Sequence, residues 1–89
     1  MDRRVHCVRI GDAPHIYCTC ITNIGCDLEI ISREEVIRRI DAGIETYWVE
    51  DPVNKSRLNI KVAVRGDLRY LRTRDDDSDR DNLLMLPEC

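Results

Sequence analysis

Alternation of apolar and polar side chains predicts several β-strands in this chain of 89 residues. The clearest pattern covers residues 57–65, where apolar side chains at the even positions alternate with mostly polar ones at the odd positions. This period of two is typical of a half-buried strand. Gly66 and Asp67 then predict a tight hairpin turn. Less regular apolar runs predict the remaining strands at 4–10, 16–24, 45–51 and 68–73.

The spacing of apolar and capping residues predicts one helix over residues 33–42. Ser32 is placed to accept a hydrogen bond as the N-cap, and Glu35 follows it at the third position of a capping box. Val36, with the isoleucines that follow it, forms one apolar stripe at helical spacing. Gly43 is typical of the residue that ends a helix.

The predicted order of elements is β-β-α-β-β-β, which gives an α+β fold. We expect a single small domain over residues 1–89, with one amphipathic helix packed on an antiparallel sheet. The composition, 43% hydrophobic and 35% charged, argues against a disordered chain. Apolar runs are far shorter than the roughly 20 residues of a membrane span, and the first residues do not have the pattern of a signal peptide. We therefore expect a cytoplasmic location and no membrane partner.

An acidic run at residues 75–81 holds five aspartates and Arg80, and it decides the sign of the net charge of −3. Repulsion among like charges predicts a mobile, solvated loop. The alternating aspartates also suggest a calcium loop, but Arg80 and Leu86 occupy positions where such a loop needs glycine and glutamate. The following segment, residues 82–89, is rich in leucine, and we expect it to be a structural tail that covers the core.

The segments ISREEVIRRIDAGIETYWVE, YLRT and DNLLMLPEC together resemble a family of short bacterial proteins of unknown function. The similarity runs from Val5 to Cys89 and is most specific in the tail, with the pattern YLRT…DNLL-x-LP-x-C. The cysteines of YCTCITNIGC are a departure from it. The resemblance implies a stand-alone domain of bacterial or phage origin with a polar loop before a leucine-rich tail. It supplies no activity and no cofactor.

The five cysteines, Cys7, Cys18, Cys20, Cys26 and Cys89, are an odd number, which argues against a disulfide framework in a chain without an export signal. Cys18 and Cys20 share one face of a predicted strand, so with Cys26, and with Cys7, His6 or His15 nearby in the fold, they form a possible zinc set. Paired C-x-x-C motifs are absent, and cysteine also packs well in cores. We expect core packing, and we predict that Cys18 and Cys20 bind no metal.

Catalytic motifs are weak. His6 and Cys7 would point to opposite faces of a strand, whereas a pairing of His15 with Cys18 or Cys20 stays open. The glycines resemble turn and cap residues, and none forms a phosphate-binding loop. We expect no enzyme and no cofactor.

A basic sheet face is the strongest functional lead. Polar side chains of the strand 57–65 and of the strand that returns beside it predict an exposed surface with an aromatic ring, which suits single-stranded nucleic acid or a phosphate ligand. The alternative is a solvated face whose charges maintain solubility. The candidate ligand-binding residues are Arg57, Asn59, Lys61, Arg65, Tyr70 and Arg72.

The function that we expect is therefore a small non-enzymatic binding or interaction module of unknown partner, either a protein or a nucleic acid. Nucleic-acid or nucleotide-phosphate binding on the basic face is the alternative, and a zinc-stabilised domain is the second alternative. The sequence leaves the oligomeric state open.

Overall fold

A computed structural model describes residues 2–11, 20–53, 55–73 and 82–89. In this part of the chain one helix and eight strands form an α+β fold, as predicted. The strands are β1 (Asp2–Arg4), β2 (Cys7–Ile10), β3 (Ile21–Cys26), β4 (Glu29–Ser32), β5 (Thr46–Glu50), β6 (Arg57–Asn59), β7 (Lys61–Arg65) and β8 (Leu68–Arg72), and the helix is α1 (Arg33–Asp41). The predicted acidic loop 75–81 and the start of the predicted strand 16–24 lie outside the described residues.

The strands pair in three small sheets, with the orders β1-β5-β6, β2-β3-β4 and β7-β8. All pairs are antiparallel except β1 with β5, which is parallel. The expected single antiparallel sheet is therefore divided into three, and it is not antiparallel at the β1–β5 pair. The reason lies at the N-terminal end of the chain, where β1 enters beside β5 instead of forming a hairpin with its successor.

Backbone hydrogen bonds explain why the predicted strand 4–10 is divided in two. The Val5 amide donates to the Trp48 carbonyl at 2.8 Å, and the next amide, that of His6, donates to the Gly25 carbonyl at 2.9 Å. The chain thus passes from one sheet to the next within a single residue. It continues in an extended form, which is why the sequence pattern did not show the break.

The predicted strand 57–65 is divided in the same way at Ile60, whose amide still donates to the Tyr47 carbonyl at 2.8 Å. Beyond it the alternation changes phase, because Ala63 is buried and Val64 is 66% exposed. The predicted inward set is therefore wrong at Val64. The chain has changed its partner strand, so a single alternating face does not continue through the whole segment.

The helix confirms its predicted start. The Glu35 amide donates to the Ser32 hydroxyl at 3.2 Å, and Gly43 adopts a φ of 70° just after the C-cap. Val36 and Ile37 are buried, and α1 contacts β3, β4 and β8. Among the described residues no helix is long and apolar enough to cross a membrane, since α1 has nine residues.

Strand β4 was not predicted. The segment between β3 and the helix turns back at Asp27, which has a positive φ of 52°, and at Leu28. Ile31 then pairs opposite Ile24, and both side chains enter the core. The turn lacks glycine, so its sequence does not suggest a hairpin.

Residues 82–89, which we call the tail, return to the core. Leu83 is fully buried, and Leu84 and Leu86 are partly buried against the core cluster. The Val8 amide donates to the Pro87 carbonyl at 3.1 Å, and the Cys89 amide donates to the Val8 carbonyl at 3.0 Å. The tail therefore adds a short parallel bridge to β2.

The end of the tail is also tied covalently, because Cys7 and Cys89 form a disulfide with a Cα–Cα distance of 5.1 Å. The expectation that the cysteines form no disulfide is wrong for this pair, which the sequence separates by 82 residues and the tail brings together. Gly25 lies opposite Cys7 within β3, so it is not the turn or cap glycine that was predicted. A Cβ at this position would meet both sulfur atoms, with that of Cys89 at 2.8 Å.

Candidate functional site

The outer face of the β1-β5-β6 sheet carries an aromatic ring at its centre. In β5 the side chains of Tyr47 and Val49 are buried, and Trp48 between them is only half-buried on the opposite face. The strand register places Arg4 on one side of Trp48 and Asn59 on the other. We call this surface the Trp48 face; it consists of Asp2, Arg4, Thr46, Trp48, Glu50, Arg57 and Asn59.

Two arginines flank the indole ring of Trp48. The guanidinium carbon of Arg4 lies 5.5 Å from the ring centroid, and that of Arg57 lies 5.1 Å from it. Both distances are within the range of a cation–π interaction. The indole is thus held between two planar cations on an exposed sheet surface.

Each of these arginines is also paired with a carboxylate. Arg4 Nη2 lies 3.0 Å from Glu50 Oε2, and Arg57 Nη2 donates to Asp2 Oδ1 at 2.6 Å. The hydrogen bond from Arg57, with a second from Thr46, holds the pKa of Asp2 below its usual value. With two cations and two anions, the Trp48 face is electrically balanced.

The structure brings only two of the six predicted ligand-binding residues to this face, Arg57 and Asn59. The others belong to the separate β7–β8 hairpin, where Lys61 lies opposite Arg72. The predicted single basic face is therefore wrong as a surface, because the strand 57–65 serves two different sheets.

Tyr70, the predicted stacking residue, lies opposite Ala63, and its side chain is only 2% exposed. The guanidinium of Arg72 lies 5.9 Å from the Tyr70 ring centroid. Tyr70 is therefore a core residue, and its ring offers no platform for a base.

The partly exposed aromatic residue of the sheet is Trp48, which the sequence analysis did not select. A usable signal was present in the segment TYWVE, where Tyr47 and Val49 alternate with Thr46, Trp48 and Glu50. If the first pair is inward, the tryptophan must point outward. The sequence alone does not show which of the two faces of this strand is buried.

A second group of charged residues lies at the edge of the core, around Glu45. Tyr47 Oη donates to Glu45 Oε1 at 2.9 Å, and Arg39 Nη1 donates to the same atom at 2.8 Å. Arg3 Nη1 lies 3.5 Å from the other oxygen. Burial alone would raise the pKa of Glu45, but these hydrogen bonds and charges hold it below its usual value. Burial and the bond to Glu45 raise the pKa of Tyr47 to about 12.

This charge cluster has the chemistry of a structural network. Its buried carboxylate stays ionised because donors surround it, and the neighbouring Tyr47 hydroxyl keeps its proton. Cys26 is also buried, and burial raises the pKa of its thiol to about 11. Such a thiol is a poor nucleophile at neutral pH, since the thiolate is the reactive form.

The possible zinc set is not assembled by the described residues. Cys7 is bonded to Cys89, Cys20 is half-buried, and Cys26 is buried. Cys18, like His15 of the possible catalytic pair, lies outside the described residues. In the ranges that the structure covers, no three histidine, cysteine or acidic side chains are placed to hold a metal ion.

A shallow cleft of about 350 Å³ lies between the start of α1 and the β7–β8 turn. Its two arginines pair with acidic neighbours: Arg33 Nε lies 2.9 Å from Glu34, and Arg69 Nη2 lies 2.6 Å from Asp41. The Asp67 carboxylate also lines the cleft. None of its described lining residues is aromatic, whereas the Trp48 face presents a tryptophan, so we take the Trp48 face as the stronger candidate site.

Fold and surface define a small α+β domain whose distinguishing exposed feature is a tryptophan between two arginines. The chain belongs to the family described as "Protein of unknown function (DUF3892)", whose model matches residues 4–87. The predicted resemblance to a family of unknown function is confirmed, and the bacterial or phage origin stays a prediction. No curated protein and no solved structure matches the chain.

Proposed function

We propose that this chain is a small non-enzymatic binding module that recognises a protein partner through the Trp48 face. The observation that carries the proposal is the half-buried indole held between Arg4 and Arg57 on an open sheet surface. Tryptophan and arginine are enriched among the residues that dominate protein–protein binding energies. Here three of them lie in contact at the centre of one face.

The pairing of charges on this face supports a preorganised site. The carboxylates of Asp2 and Glu50 hold the two guanidinium groups in place, so a partner does not have to order them. Preorganised side chains lose less conformational entropy on binding. The apolar surface of Trp48 supplies the area that a partner can bury.

The same charge balance favours a protein over a nucleic acid. A polyanion binds chiefly through cations that neutralise phosphates, and on this face each arginine already has an acidic partner. Nucleic-acid binding, the alternative from the sequence, also loses its stacking residue, because Tyr70 is buried. We therefore treat it as an outcome of the test and do not propose it as a second function.

The test uses Trp48 as its own probe, because it is the only tryptophan of the chain. Proteins captured from the source organism by the wild-type chain are compared with those captured by Trp48→Ala and by Arg57→Ala. The matched control is Val64→Ala, which shortens another exposed apolar side chain, on β7. The purified partner is then titrated while the fluorescence of Trp48 is followed.

We expect a captured protein that changes the Trp48 fluorescence and binds about 30-fold or more weakly to Trp48→Ala, as is typical of a hot-spot residue. The Val64→Ala control should bind like the wild type. Equal binding by wild type and Trp48→Ala would overturn the proposal. A fluorescence response to mixed-sequence single-stranded DNA or RNA that falls steeply with salt would instead favour the nucleic-acid alternative.

We also propose that the module acts in the cytoplasm, as the sequence predicts. In that compartment thiol systems keep most cysteines reduced. The location therefore decides which state of the Cys7–Cys89 pair is populated. Fractionation of the source organism with an antibody against the chain tests the location directly.

A further inference from the structure

The tail occupies a strand edge that would otherwise be open. One edge of β2 pairs with β3, and on the other edge Val8 uses both its amide and its carbonyl to bind the tail. The disulfide between Cys89 and Cys7, the residue before Val8, adds a covalent link to this contact. Three short-range attachments thus hold the last three residues of the tail against β2.

We propose that the tail is a redox-controlled clasp: reduction of the Cys7–Cys89 disulfide by an external thiol or dithiol frees residues 87–89 from the edge of β2. The proposal does not depend on the function assigned to the Trp48 face. In this proposal the disulfide acts as a switch, because its reduction exposes the edge of β2 that the tail covers.

The bond is placed where an external thiol reaches it. Cys89 is exposed and Cys7 is half-buried. Accessibility is one of the factors that decide which sulfur a thiolate attacks. Cys26 does not compete as an internal attacker, because its side chain is fully buried.

The exchange conserves atoms and electrons. A thiolate of the external reductant attacks the Cys89 sulfur, and Cys7 leaves as a thiolate that takes a proton from solvent. A second thiol of the reductant then displaces Cys89 from the mixed disulfide, and Cys89 is protonated in turn. The chain gains two electrons and two protons, and the reductant is oxidised to its disulfide.

The opening is local because the tail has a second, non-covalent anchor. The Leu83 side chain is fully buried in the core, whereas Pro87, Glu88 and Cys89 are exposed. Breaking the disulfide removes the constraint at one end and leaves the anchor at the other. Sub-global openings of this kind occur in proteins that remain folded elsewhere.

Gly25 supplies an independent handle on the clasp. It lies directly beneath the bond, and a Cβ there would meet both sulfur atoms. Gly25→Ala should therefore disfavour the disulfide without removing either cysteine. Its matched control is Gly11→Ala, because a Cβ at Gly11 has only ordinary contacts, the nearest at 3.6 Å.

The experiment compares oxidised and reduced full-length protein by intact mass, peptide mapping and amide hydrogen exchange. We expect a Cys7–Cys89 link in the oxidised protein and, on reduction, exchange at least about tenfold faster at Val8 and Cys89 with unchanged protection in α1. Cys89→Ser should show the same pattern without reductant, and Cys20→Ser should not. In a glutathione redox buffer, Gly25→Ala should be oxidised to a smaller extent than Gly11→Ala.

Three results would each overturn the clasp. The first is the absence of the Cys7–Cys89 link after oxidation. The second is equal exchange at Val8 in both redox states. The third is loss of protection in α1 together with the tail, because the disulfide would then be a staple of the whole fold. Equal oxidation of Gly25→Ala and Gly11→Ala would contradict the placement of the bond over Gly25.

Discussion

The hairpins β5–β6 and β7–β8 each carry an aromatic residue opposite a residue of the paired strand, but the two rings differ in how far they are buried. Trp48 lies opposite Asn59 and is half-buried, whereas Tyr70 lies opposite Ala63 and is almost fully buried. The difference is the second layer. In β8 the adjacent side chains Tyr70 and Leu71 are both buried, so this strand is covered on both faces. In the sheet that contains β5, Tyr47 and Val49 are buried on one face, and Trp48 is half-buried on the other.

The comparison also separates the two groups of charged residues. On the Trp48 face the ion pairs are open to solvent, with Arg57 and Asp2 side chains 47% and 42% exposed, and such pairs contribute little to stability. In the charge cluster the Arg3 and Glu45 side chains are 14% and 10% exposed. Removing one partner of a buried pair leaves an uncompensated charge and destabilises the protein, so the role of this cluster is structural. The exposed ion pairs of the Trp48 face can be changed with little effect on the stability of the fold.

The largest loss of stability should come from a truncation after Asn82, which removes the part of the tail that covers the core. It deletes the buried Leu83 side chain and the disulfide partner Cys89. We expect a loss of several kcal/mol or failure to fold, since fully burying one leucine contributes about 1.5–3 kcal/mol and the truncation also removes Leu84 and Leu86, which pack against the core. Urea denaturation, monitored by far-UV circular dichroism, measures this loss of stability.

The control for the truncation replaces Asp75, Asp76, Asp77 and Asp79 with serine, just before the tail. This variant should unfold close to the wild-type midpoint, because the run holds almost no apolar surface. If the truncated chain unfolds at the wild-type midpoint, the tail is not a cover. Its leucines would then be candidates for an exposed anchor.

The next effect tests the two aromatic residues directly. Tyr70→Ala should cost about 3–5 kcal/mol, because it leaves a large cavity in a covered strand. Trp48→Ala should cost less than half of that, because the open face lets solvent fill the space. Denaturation midpoints of the two variants, measured at the same pH and salt concentration, decide the matter. Equal losses would show that the Trp48 face is as much a part of the core as β8.

These differences explain how far the sequence could predict the structure. The helix was found from Ser32, Glu35 and Gly43 because caps are local chemistry that does not depend on the rest of the fold. The hairpin turn at Gly66 was found for the same reason. Local signals of this kind specify elements, and they also gave the α+β class.

What failed depends on contacts between distant parts of the chain. Alternation predicts which residues share a face, but Tyr70 and Trp48 differ in what covers that face. The changes of sheet after Val5 and at Ile60 are made through backbone hydrogen bonds to distant strands, so they have no local signature. The Cys7–Cys89 bond joins opposite ends of the chain and was hidden by an odd cysteine count. The six predicted ligand-binding residues therefore share only Arg57 and Asn59 with the Trp48 face, and a ligand-binding role for them stays a prediction.

A smaller effect is expected at the helix start, which belongs to neither hairpin. Ser32→Ala removes the acceptor of the Glu35 amide and should cost about 0.5–2 kcal/mol. Ser32→Asn is the matched control, since asparagine is also a good N-cap. Thermal melting of both variants beside the wild type measures the difference. A wild-type melting temperature for Ser32→Ala would mean that the cap bond does not stabilise the helix.

The smallest effect concerns pH, and it compares one carboxylate on the helix with one on the Trp48 face. Hydrogen bonds from Arg38, with a further bond from Arg39, lower the pKa of Glu35 to about 2 from a usual value of 4.5. On the Trp48 face Arg57, and then Thr46, lower the pKa of Asp2. Because each folded-state pKa lies below its unfolded value, each carboxylate adds stability at pH values above its unfolded pKa. That stability is lost as the pH falls through the folded pKa.

Glu35→Gln and Asp2→Asn should therefore be less stable than the wild type at pH 7, and each gap should narrow as the pH falls through the folded-state pKa of the carboxylate, which for Glu35 means between pH 4.5 and about pH 2. Both side chains are a third or more exposed, so the gaps should also shrink in high salt, which screens exposed charges. Urea midpoints across this pH range, at low and high salt, measure both trends. A gap that stays constant with pH would show that the two carboxylates act through shape and neutral hydrogen bonds. In that case the ionic pairing that preorganises the arginines of the Trp48 face would lose its support.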